Sequence, residues 1–260
     1  MSRARERSAA SRRLYRGRPG RDYSASPPCY TETMSSTTAQ ATSEQSIPQQ
    51  FRAIILDYGR VLAYSPNSAA ISRFCGVFGW NEQQFWNAFA TYRDAYDEGV
   101  CSSQEFWQNM GRGTGAQLTD EIVTKLREWD VEMWTRLDQS MLNWVKSLQQ
   151  AGYKIALLSN APLDFAVYAR KHLAWLKSFD ATIFSAEIGL VKPGAAIFQL
   201  CLKQLGVEPQ QALFIDDLAV NVEGARAAGL TAIKFSSPSQ LAADLSQMGF
   251  DPLPEGSQAF

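Results

Sequence analysis

The chain has 260 residues with 25 Lys and Arg against 26 Asp and Glu, and its net charge of −1 argues against a nucleic-acid partner. Its four cysteines form no Cys-x-x-Cys pair, and the single histidine, His172, cannot complete a histidine-based zinc site or a Ser-His-Asp triad. The sequence has no run of about 18 apolar residues, so it predicts no membrane span.

The first 50 residues form a segment of unusual composition. They carry eight Arg and no Lys against four acidic residues, and they have almost no aliphatic residue between Leu14 and Ile47. Such a segment buries too little apolar surface to offset its ordering entropy, so we predict that residues 1–50 are a disordered tail. We expect a cytoplasmic protein. Organellar targeting by this tail and translation from Met34 are the alternatives.

From Phe51 onward, short apolar runs alternate with helical patterns. Residues 51–56 form a β-branched apolar run that ends at Asp57, which predicts a buried strand. Further strands are predicted at 153–158, 181–184, 212–215 and 231–235, and helices at about 162–176, 194–205 and 219–228. Apolar strands that alternate with helices are typical of a parallel sheet covered on both faces. The predicted fold class is therefore α/β, with a doubly wound, Rossmann-like parallel sheet.

The interval between the first two strands has a different pattern. Residues 65–146 show helical periodicity and contain six of the seven tryptophans, most of which we expect in a core. Within it, the Tyr96–Gly99 turn precedes a capping box at Ser102 and Glu105, which predicts a helical hairpin. We predict a helical cap at 65–146, inserted into an α/β core of residues 51–64 and 147–260.

Polar residues follow the predicted strands at their carboxyl ends. Asp57 follows the first strand, Ser159 the second, and Asp216 and Asp217 the fourth, while Lys192 lies on a loop before a helix. Ligands of open parallel sheets bind at this edge. Three carboxylates and a phosphate dianion would carry five negative charges, of which Lys192 compensates one. The set therefore predicts a divalent cation together with an anionic ligand, and Mg²⁺ suits all-oxygen ligands.

Four short motifs follow one another in the chain: Asp57-x-Gly-x-Val61, Ser159-Asn160, Lys192-Pro193 and Asp216-Asp217-x-x-x-Asn221-x-x-Gly224-Ala225. In this order they resemble the motifs of the haloacid dehalogenase-like (HAD) hydrolase superfamily, and the resemblance covers about residues 52–235. The predicted cap is similar to that of the subfamily with small sugar-phosphate phosphatases. Gly59 and the Asp-Asp-x-x-x-Asn form further resemble its bacterial glucose-1-phosphate phosphatase branch.

The resemblance implies a phosphatase that works through an aspartyl-phosphate. Asp57 would attack phosphorus, which divides a difficult hydrolysis into two steps. Ser159 Oγ and the backbone N–H groups near Asn160 would hold the phosphoryl oxygens, and Lys192 would pair with the phosphate and with Asp57. The substrate would be a small phosphorylated metabolite.

The same resemblance implies a set of Mg²⁺ ligands. Asp57, the carbonyl of Gly59 and Asp217 would bind the ion directly. Asp216 would act through water or as an outer ligand, and Asn221 would orient the acidic pair.

One position departs from the pattern of the superfamily. Most of its phosphatases have a second Asp two positions after the nucleophile as general acid/base, and this chain has Gly59 there. A glycine cannot transfer a proton, and losing such a group costs about 10²–10⁴ in rate. Good leaving groups suffer least, so a sugar 1-phosphate is a natural candidate substrate.

Arg60 either contacts substrate or is a solvated loop residue. The candidate specificity residues in the cap are Tyr64, Arg73, Trp80, Arg93 and Tyr96.

Two other functions remain as alternatives. A metal-independent 2-haloacid dehalogenase would share Asp57 and Lys192, but it would not need Asp216 and Asp217. A non-catalytic protein that binds a phosphorylated metabolite would explain Gly59, but the retained metal- and phosphate-facing residues favour an enzyme.

Overall fold

The computed structural model describes residues 51–254. The predicted disordered tail at 1–50, the alternative start at Met34 and the targeting hypothesis lie outside the described residues. No helix within residues 51–254 is long and apolar enough to cross a membrane.

Five parallel strands form the sheet, in the order β3-β2-β1-β4-β5. This arrangement confirms the predicted fold class, and each strand lies within two residues of its predicted position. The sequence located them because apolar runs that end in turn-forming residues are typical of strands buried on both faces. The strands are β1 (Ala53–Leu56), β2 (Lys154–Ser159), β3 (Ala181–Phe184), β4 (Ala212–Asp216) and β5 (Thr231–Lys234).

Ten α-helices are described in residues 51–254. They are α1 (Ser68–Phe78), α2 (Glu82–Asp97), α3 (Ser103–Met110), α4 (Asp120–Glu132), α5 (Gln139–Gln150), α6 (Leu163–His172), α7 (Ser185–Ile188), α8 (Ala195–Leu205), α9 (Ala219–Ala227) and α10 (Pro238–Gln247). The prediction of one helix over 162–176 was too long. The chain leaves helical geometry at Leu173, with φ −96° and ψ 76°, and continues as a 3₁₀ helix at Ala174–Ser178.

The sheet buries apolar residues on both faces. Alternate residues of β1 enter different clusters: Ile54 and Leu56 pack with α5, α6 and α10, whereas Ala53 and Ile55 pack with α8 and α9. This division follows from the period-2 alternation of side chains along a strand. The carboxyl edge of β1 is therefore held in the middle of a packed three-layer structure.

Helices α1 to α4 have an aromatic core of their own. Phe74, Phe85, Phe106 and Trp107 are fully buried there, and Phe74 stacks on Trp107 with ring centroids 5.6 Å apart. The predicted hairpin is present: α2 ends at Asp97, and the Ser102 capping box begins α3. Local capping chemistry was sufficient to locate this connection.

Helix α5 packs with the sheet instead of with α1 to α4. Its buried residues Met141, Trp144 and Leu148 belong to the same cluster as Ile54 and Leu56. The predicted cap at 65–146 would divide this helix. We therefore propose that the helical insert ends before α5, and the division into core and cap stays a prediction.

Polar contacts tie the insert to the helices of the sheet layer. Asp164, in the first turn of α6, accepts a hydrogen bond of 2.6 Å from the Tyr96 hydroxyl and pairs with Arg127 of α4 at 2.5 Å. The Ser185 hydroxyl donates to the carbonyl of Asp97 at 2.5 Å. These contacts hold the end of α2 close to the carboxyl edge of the sheet.

Candidate active site

The sheet register places the acidic residues at one edge. Leu56 is level with Ile215 on one side and with Leu157 on the other, so Asp57 and Asp216 leave adjacent strands at the same height. The Asp57 N–H donates to the carbonyl of Ile215 at 2.9 Å and continues the ladder by one residue. The predicted gathering of these groups at the sheet edge is therefore present.

Lys192 is held between two carboxylates. Its Nζ lies 2.7 Å from Asp57 Oδ1 and 2.6 Å from Asp216 Oδ2, and its side chain is 1% exposed. Burial alone would lower the pKa of Lys192, but the two carboxylates raise it above its usual value. The lysine is thus a fixed positive charge beside Asp57.

Asp216 already has hydrogen bonds to both carboxylate oxygens. Oδ1 accepts from the Leu218 N–H at 2.8 Å, Oδ2 from Lys192, and the Asn221 amide lies 3.1 Å from each oxygen. The side chain is 0% exposed. Both oxygens therefore already have partners, and the outer role expected for Asp216 stays a prediction. Asn221 contacts only Asp216 of the pair among the hydrogen bonds of the described residues, whereas we expected it to orient both.

Asp217 is the more open member of the acidic pair. Its side chain is 15% exposed, and Oδ2 lies 3.3 Å from Nη1 of Arg60. Lys192 is the cation that the sequence predicts at this site. Arg60, which pairs with Asp217, adds a second one. Two cations next to three carboxylates leave a single net negative charge, so a phosphate dianion would still meet repulsion.

The three carboxylates fit a divalent cation. One oxygen each from Asp57, Asp216 and Asp217 lies within 4.8 Å of the others. Burial raises the pKa of Asp57 to about 7 against the opposing effect of Lys192, and burial together with Asp216 raises the pKa of Asp217. The protein's own cations thus compensate these carboxylates only in part, and an all-oxygen set of this kind suits Mg²⁺.

The Asn160 side chain positions the Lys192 loop. Its Nδ2 donates to the Lys192 carbonyl at 2.9 Å, and its Oδ1 accepts from the Lys192 N–H at 2.8 Å. The next N–H, that of Ala161, donates to Ser185 Oγ at 2.9 Å. The backbone N–H groups near Asn160 are the expected donors to the phosphoryl oxygens. Among them, the N–H of Ala161 already donates to Ser185. Ser159 borders the same cavity as Lys192 and is 4% exposed.

Gly59 faces an indole ring. A Cβ added at this position would lie 3.4 Å from the ring of Trp134. The next residue, Arg60, has a φ of 59°, in the left-handed region that a non-glycine residue seldom adopts. The acid/base position of related phosphatases thus carries no side chain here, and Trp134 packs against it.

A cavity of about 340 Å³ connects these groups with the helical insert. Of the five candidate specificity residues only Arg93 borders it. Tyr96 bonds to Asp164, Arg73 to Glu132, Trp80 packs on Phe78, and Tyr64 lies beside Arg136. Trp86, Phe89, Trp134 and Leu218 also line the cavity and were not among the predicted residues. Helical spacing was an available signal, because Trp86 and Phe89 precede Arg93 by seven and four residues on one face of α2.

Gly224 is needed for the close approach of α9 to the Lys192 loop. A Cβ at this position would lie 2.5 Å from Cβ of Pro193 and 2.6 Å from its carbonyl oxygen. We predict that Gly224→Ala lowers the free energy of unfolding by about 1–3 kcal/mol, because the rigid backbone of Pro193 must shift. Gly76→Ala on α1 is the control, since an added Cβ there meets nothing within 4 Å, and it should be neutral or stabilising by up to about 1 kcal/mol. Urea unfolding measures both, and equal effects would contradict the close approach.

The sequence matches proteins of known name. A family model described as haloacid dehalogenase-like hydrolase matches residues 29–229. Acyl-CoA dehydrogenase family member 10 of Mus musculus is 27% identical over 79% of this chain, which spans about a fifth (20%) of that relative's length. Sesquiterpene phosphatase astK of Aspergillus oryzae is 25% identical over 76% of this chain and 96% of its own. Phosphatase MT3486 of Mycobacterium tuberculosis is 32% identical over 63% of this chain and 76% of its own length.

Solved structures show the same fold. A HAD family enzyme of Bacteroides thetaiotaomicron, as a mutant in complex with magnesium and inorganic phosphate, matches 72% of this chain and 94% of its own with a TM-score of 0.59 and 19% identity. L-2-haloacid dehalogenase of Xanthobacter autotrophicus, with chloropropionic acid covalently bound, matches 80% and 90% with a TM-score of 0.56 and 17% identity. The family match covers well over half of the sequence, and the predicted motifs lie within it. The chain therefore belongs to the haloacid dehalogenase-like hydrolases.

Proposed function

We propose that the protein is a Mg²⁺-dependent phosphatase that hydrolyses a small phosphomonoester through an aspartyl-phosphate on Asp57. The observation that carries this proposal is the arrangement of Lys192 between Asp57 and Asp216, with the more open Asp217 beside them. A buried ammonium next to a carboxylate suits a site for an anionic group that reacts with that carboxylate. The third carboxylate suits a cation bound at the same place.

In the first step the carboxylate of Asp57 replaces the alcohol on phosphorus. Lys192 holds Oδ1, so we assign the attack to Oδ2. The Oδ2–P bond forms as the ester P–O bond breaks, and the departing oxygen takes a proton from water because residue 59 has no side chain. Ser159 Oγ and Lys192 Nζ are the proposed donors to the phosphoryl oxygens. When bound by Asp57, Asp217 and the Gly59 carbonyl, Mg²⁺ would neutralise charge on the phosphoryl group.

In the second step water attacks phosphorus and breaks the Oδ2–P bond, and the proton that this water loses neutralises the hydroxide left by the first step. This step releases inorganic phosphate and restores the carboxylate of Asp57, so one water molecule is consumed overall. Asn160 keeps Lys192 in place through its two backbone hydrogen bonds, and Asn221 keeps Asp216 oriented toward the same ammonium.

Two matched relatives are named phosphatases, and a solved structure of the same fold contains magnesium and inorganic phosphate. The dehalogenase structures make a metal-independent halide displacement the second candidate. The buried Asp216 and the adjacent Asp217 favour the phosphatase, because displacement of halide needs no third carboxylate.

The deciding experiment is a substrate screen of the purified full-length protein. It measures phosphate release from phosphorylated sugars, nucleotides, flavin mononucleotide, amino-acid phosphates and aryl phosphates. We expect release with Mg²⁺, loss with EDTA and recovery with excess Mg²⁺. Halide release from 2-chloropropionate without metal would favour the dehalogenase. Binding of Mg²⁺ and phosphate without turnover of any ester would favour a non-catalytic binding protein.

The two members of the acidic pair should differ in their effect on Mg²⁺. We predict that Asp217→Asn raises the Mg²⁺ concentration for half-maximal activity by about tenfold or more, because Asp217 is the proposed direct ligand. Asp216→Asn should raise it less, since the Asp216 oxygens already have hydrogen bonds. Mg²⁺ titrations of activity and of thermal stability measure this difference. A larger effect of Asp216→Asn would reverse the ligand assignment.

The rate should depend on the leaving group because Gly59 cannot donate a proton. Across a series of substituted phenyl phosphates we predict a steep fall in kcat/KM as the pKa of the leaving phenol rises. Gly59→Asp should make the dependence shallower when the Trp134 ring moves aside for the new side chain. The added Cβ would lie 3.4 Å from that ring. The double change Gly59→Asp with Trp134→Ala removes that obstacle. A flat dependence in the unaltered protein would show that another group protonates the leaving oxygen.

A further inference from the structure

The cavity beside Asp57 has a lining of two kinds. The charged and polar part at the sheet edge consists of Asp57, Arg60, Ser159, Asn160, Lys192, Asp217 and Asn221. The rest includes five rings, which we call the aromatic wall, together with Ala90, Ala161 and Leu218. The aromatic wall consists of Tyr58, Trp86, Phe89, Trp134 and Phe165. Arg93, Asp94 and Asp97 complete the lining on the side of the insert, so a ligand that places its phosphate beside Asp57 places its organic group beside these rings and that charged group.

The polar atoms of two rings of the wall are bound elsewhere. The indole N–H of Trp86 donates to Glu82 Oε1 at 3.4 Å, one turn earlier on α2. The hydroxyl of Tyr58 donates to the backbone carbonyl of Trp134 at 2.9 Å. Both rings consequently offer carbon surface to the cavity instead of hydrogen-bond donors.

Packing holds the wall in place. Trp86 meets Phe85 and Phe89 edge to face, with ring centroids 5.2 and 5.5 Å apart, and Tyr58 packs on Phe165 at 4.8 Å. Leu218 adjoins this surface with 46% of its area exposed. Large exposed apolar side chains beside a reactive group are a feature of ligand-binding surfaces.

The charged side chains on the insert side are mostly paired. Arg93 bonds to Asp97 at 2.6 Å and to Asp130 at 2.9 Å, and its guanidinium lies 4.6 Å from the Phe89 ring centre. Among the charged residues of α2 that line the cavity, Asp94 lies outside this group of ion pairs, and it is exposed. A sugar ring would bury several hydroxyls here with few partners, and each unpaired hydroxyl costs about 1–3 kcal/mol.

Resting on the proposed phosphatase activity, we propose that the substrate is a phosphate monoester of an apolar alcohol, an aryl or alkyl ester, and that Trp86 and Leu218 help to select it. This class differs from the sugar 1-phosphate expected from the sequence. An apolar ring that packs against the aromatic wall stabilises the complex of protein and substrate, because its carbon surface leaves water. A sugar ring gains less from this contact, and its hydroxyls lose hydration.

The test compares two primary alkyl esters that have the same ring size and linkage, cyclohexylmethyl phosphate and glucose 6-phosphate. Both join a six-membered ring to phosphate through a CH₂ group, so their kcat/KM ratio reports recognition of the ring. We expect the unaltered protein to favour the cyclohexylmethyl ester by about tenfold or more. Trp86→Ala and, separately, Leu218→Ser should each lower the ratio.

Trp80→Ala is the matched control, because Trp80 stacks on Phe78 and lies outside the residues that line this cavity, and its ratio should equal that of the unaltered protein. The exposed Leu218→Ser variant keeps the test decisive if Trp86→Ala does not fold. Equal or preferred turnover of glucose 6-phosphate would overturn this inference and leave the phosphatase proposal standing. An unchanged ratio in folded Trp86→Ala and Leu218→Ser would also overturn it. The absence of phosphate release from every ester would overturn both proposals.

Discussion

Asp57→Asn is expected to lower phosphate release by a factor on the order of 10⁴ or more, because the amide cannot form the aspartyl-phosphate. The fold should persist, since the amide is nearly isosteric and Asp216 keeps its 2.6 Å contact with Lys192. The measurement uses a substrate labelled in its phosphate and stops turnover with acid. The unaltered protein should then carry labelled phosphate, and the Asp57→Asn variant should carry none.

The matched control is Asp120→Asn, which removes an exposed carboxylate in the first turn of α4. It should keep full activity and lower the thermal unfolding temperature by no more than a few degrees, the effect of one charge lost from a helix N-terminus (~0.3–1 kcal/mol). Turnover by Asp57→Asn within about tenfold of the unaltered protein would rule out the covalent route, because that route requires the carboxylate.

Lys192→Met should produce the largest loss of stability among these variants. The change leaves Asp57 and Asp216 buried without their ammonium, and removal of one partner from a buried ion pair costs about 3–5 kcal/mol. Activity should fall as well, because the proposed donor to the phosphate is lost. Urea unfolding in EDTA measures the stability without a contribution from metal.

A second substitution tests the cause of that loss. Asp216→Asn in the Lys192→Met background should recover part of the stability, because it removes one of the two uncompensated charges. Lys234→Met is the control for loss of a lysine, since Lys234 is exposed on β5 and should change stability by less than about 0.5 kcal/mol. A loss below about 1 kcal/mol for Lys192→Met would mean that the carboxylates do not depend on the ammonium.

Much of the fold could be predicted because its signals are local. Apolar β-branched runs such as Ile54–Leu56 define buried strands, and a polar residue directly after the run marks where each strand ends. The Ser102 capping box likewise defines its helix start within four residues. Parallel strands share one carboxyl edge, so the same signals also predicted that Asp57 and Asp216 would lie together.

The partners of individual side chains were not predictable in this way. Arg60 contacts Asp217 across 157 positions, and the Tyr58 hydroxyl reaches Trp134 across 76. Periodicity shows that a helix has an apolar face but does not show what that face contacts. For this reason the predicted insert at 65–146 includes residues 139–146 of α5, although this helix packs on the sheet, and the boundary of the insert stays a prediction.

The sequence by itself determined the parallel α/β core, the order of the motifs, and the three carboxylates and the lysine of the sheet edge. Strand-end chemistry and apolar periodicity are properties of short segments. Only the tertiary structure decided that both oxygens of Asp216 accept hydrogen bonds, that the Asn160 side chain bonds to the Lys192 backbone, and that an aromatic wall lines the cavity beside Asp57. The physical reason is that these contacts join segments distant in the chain, and their geometry follows from how α2 and the end of α4 pack over the sheet edge.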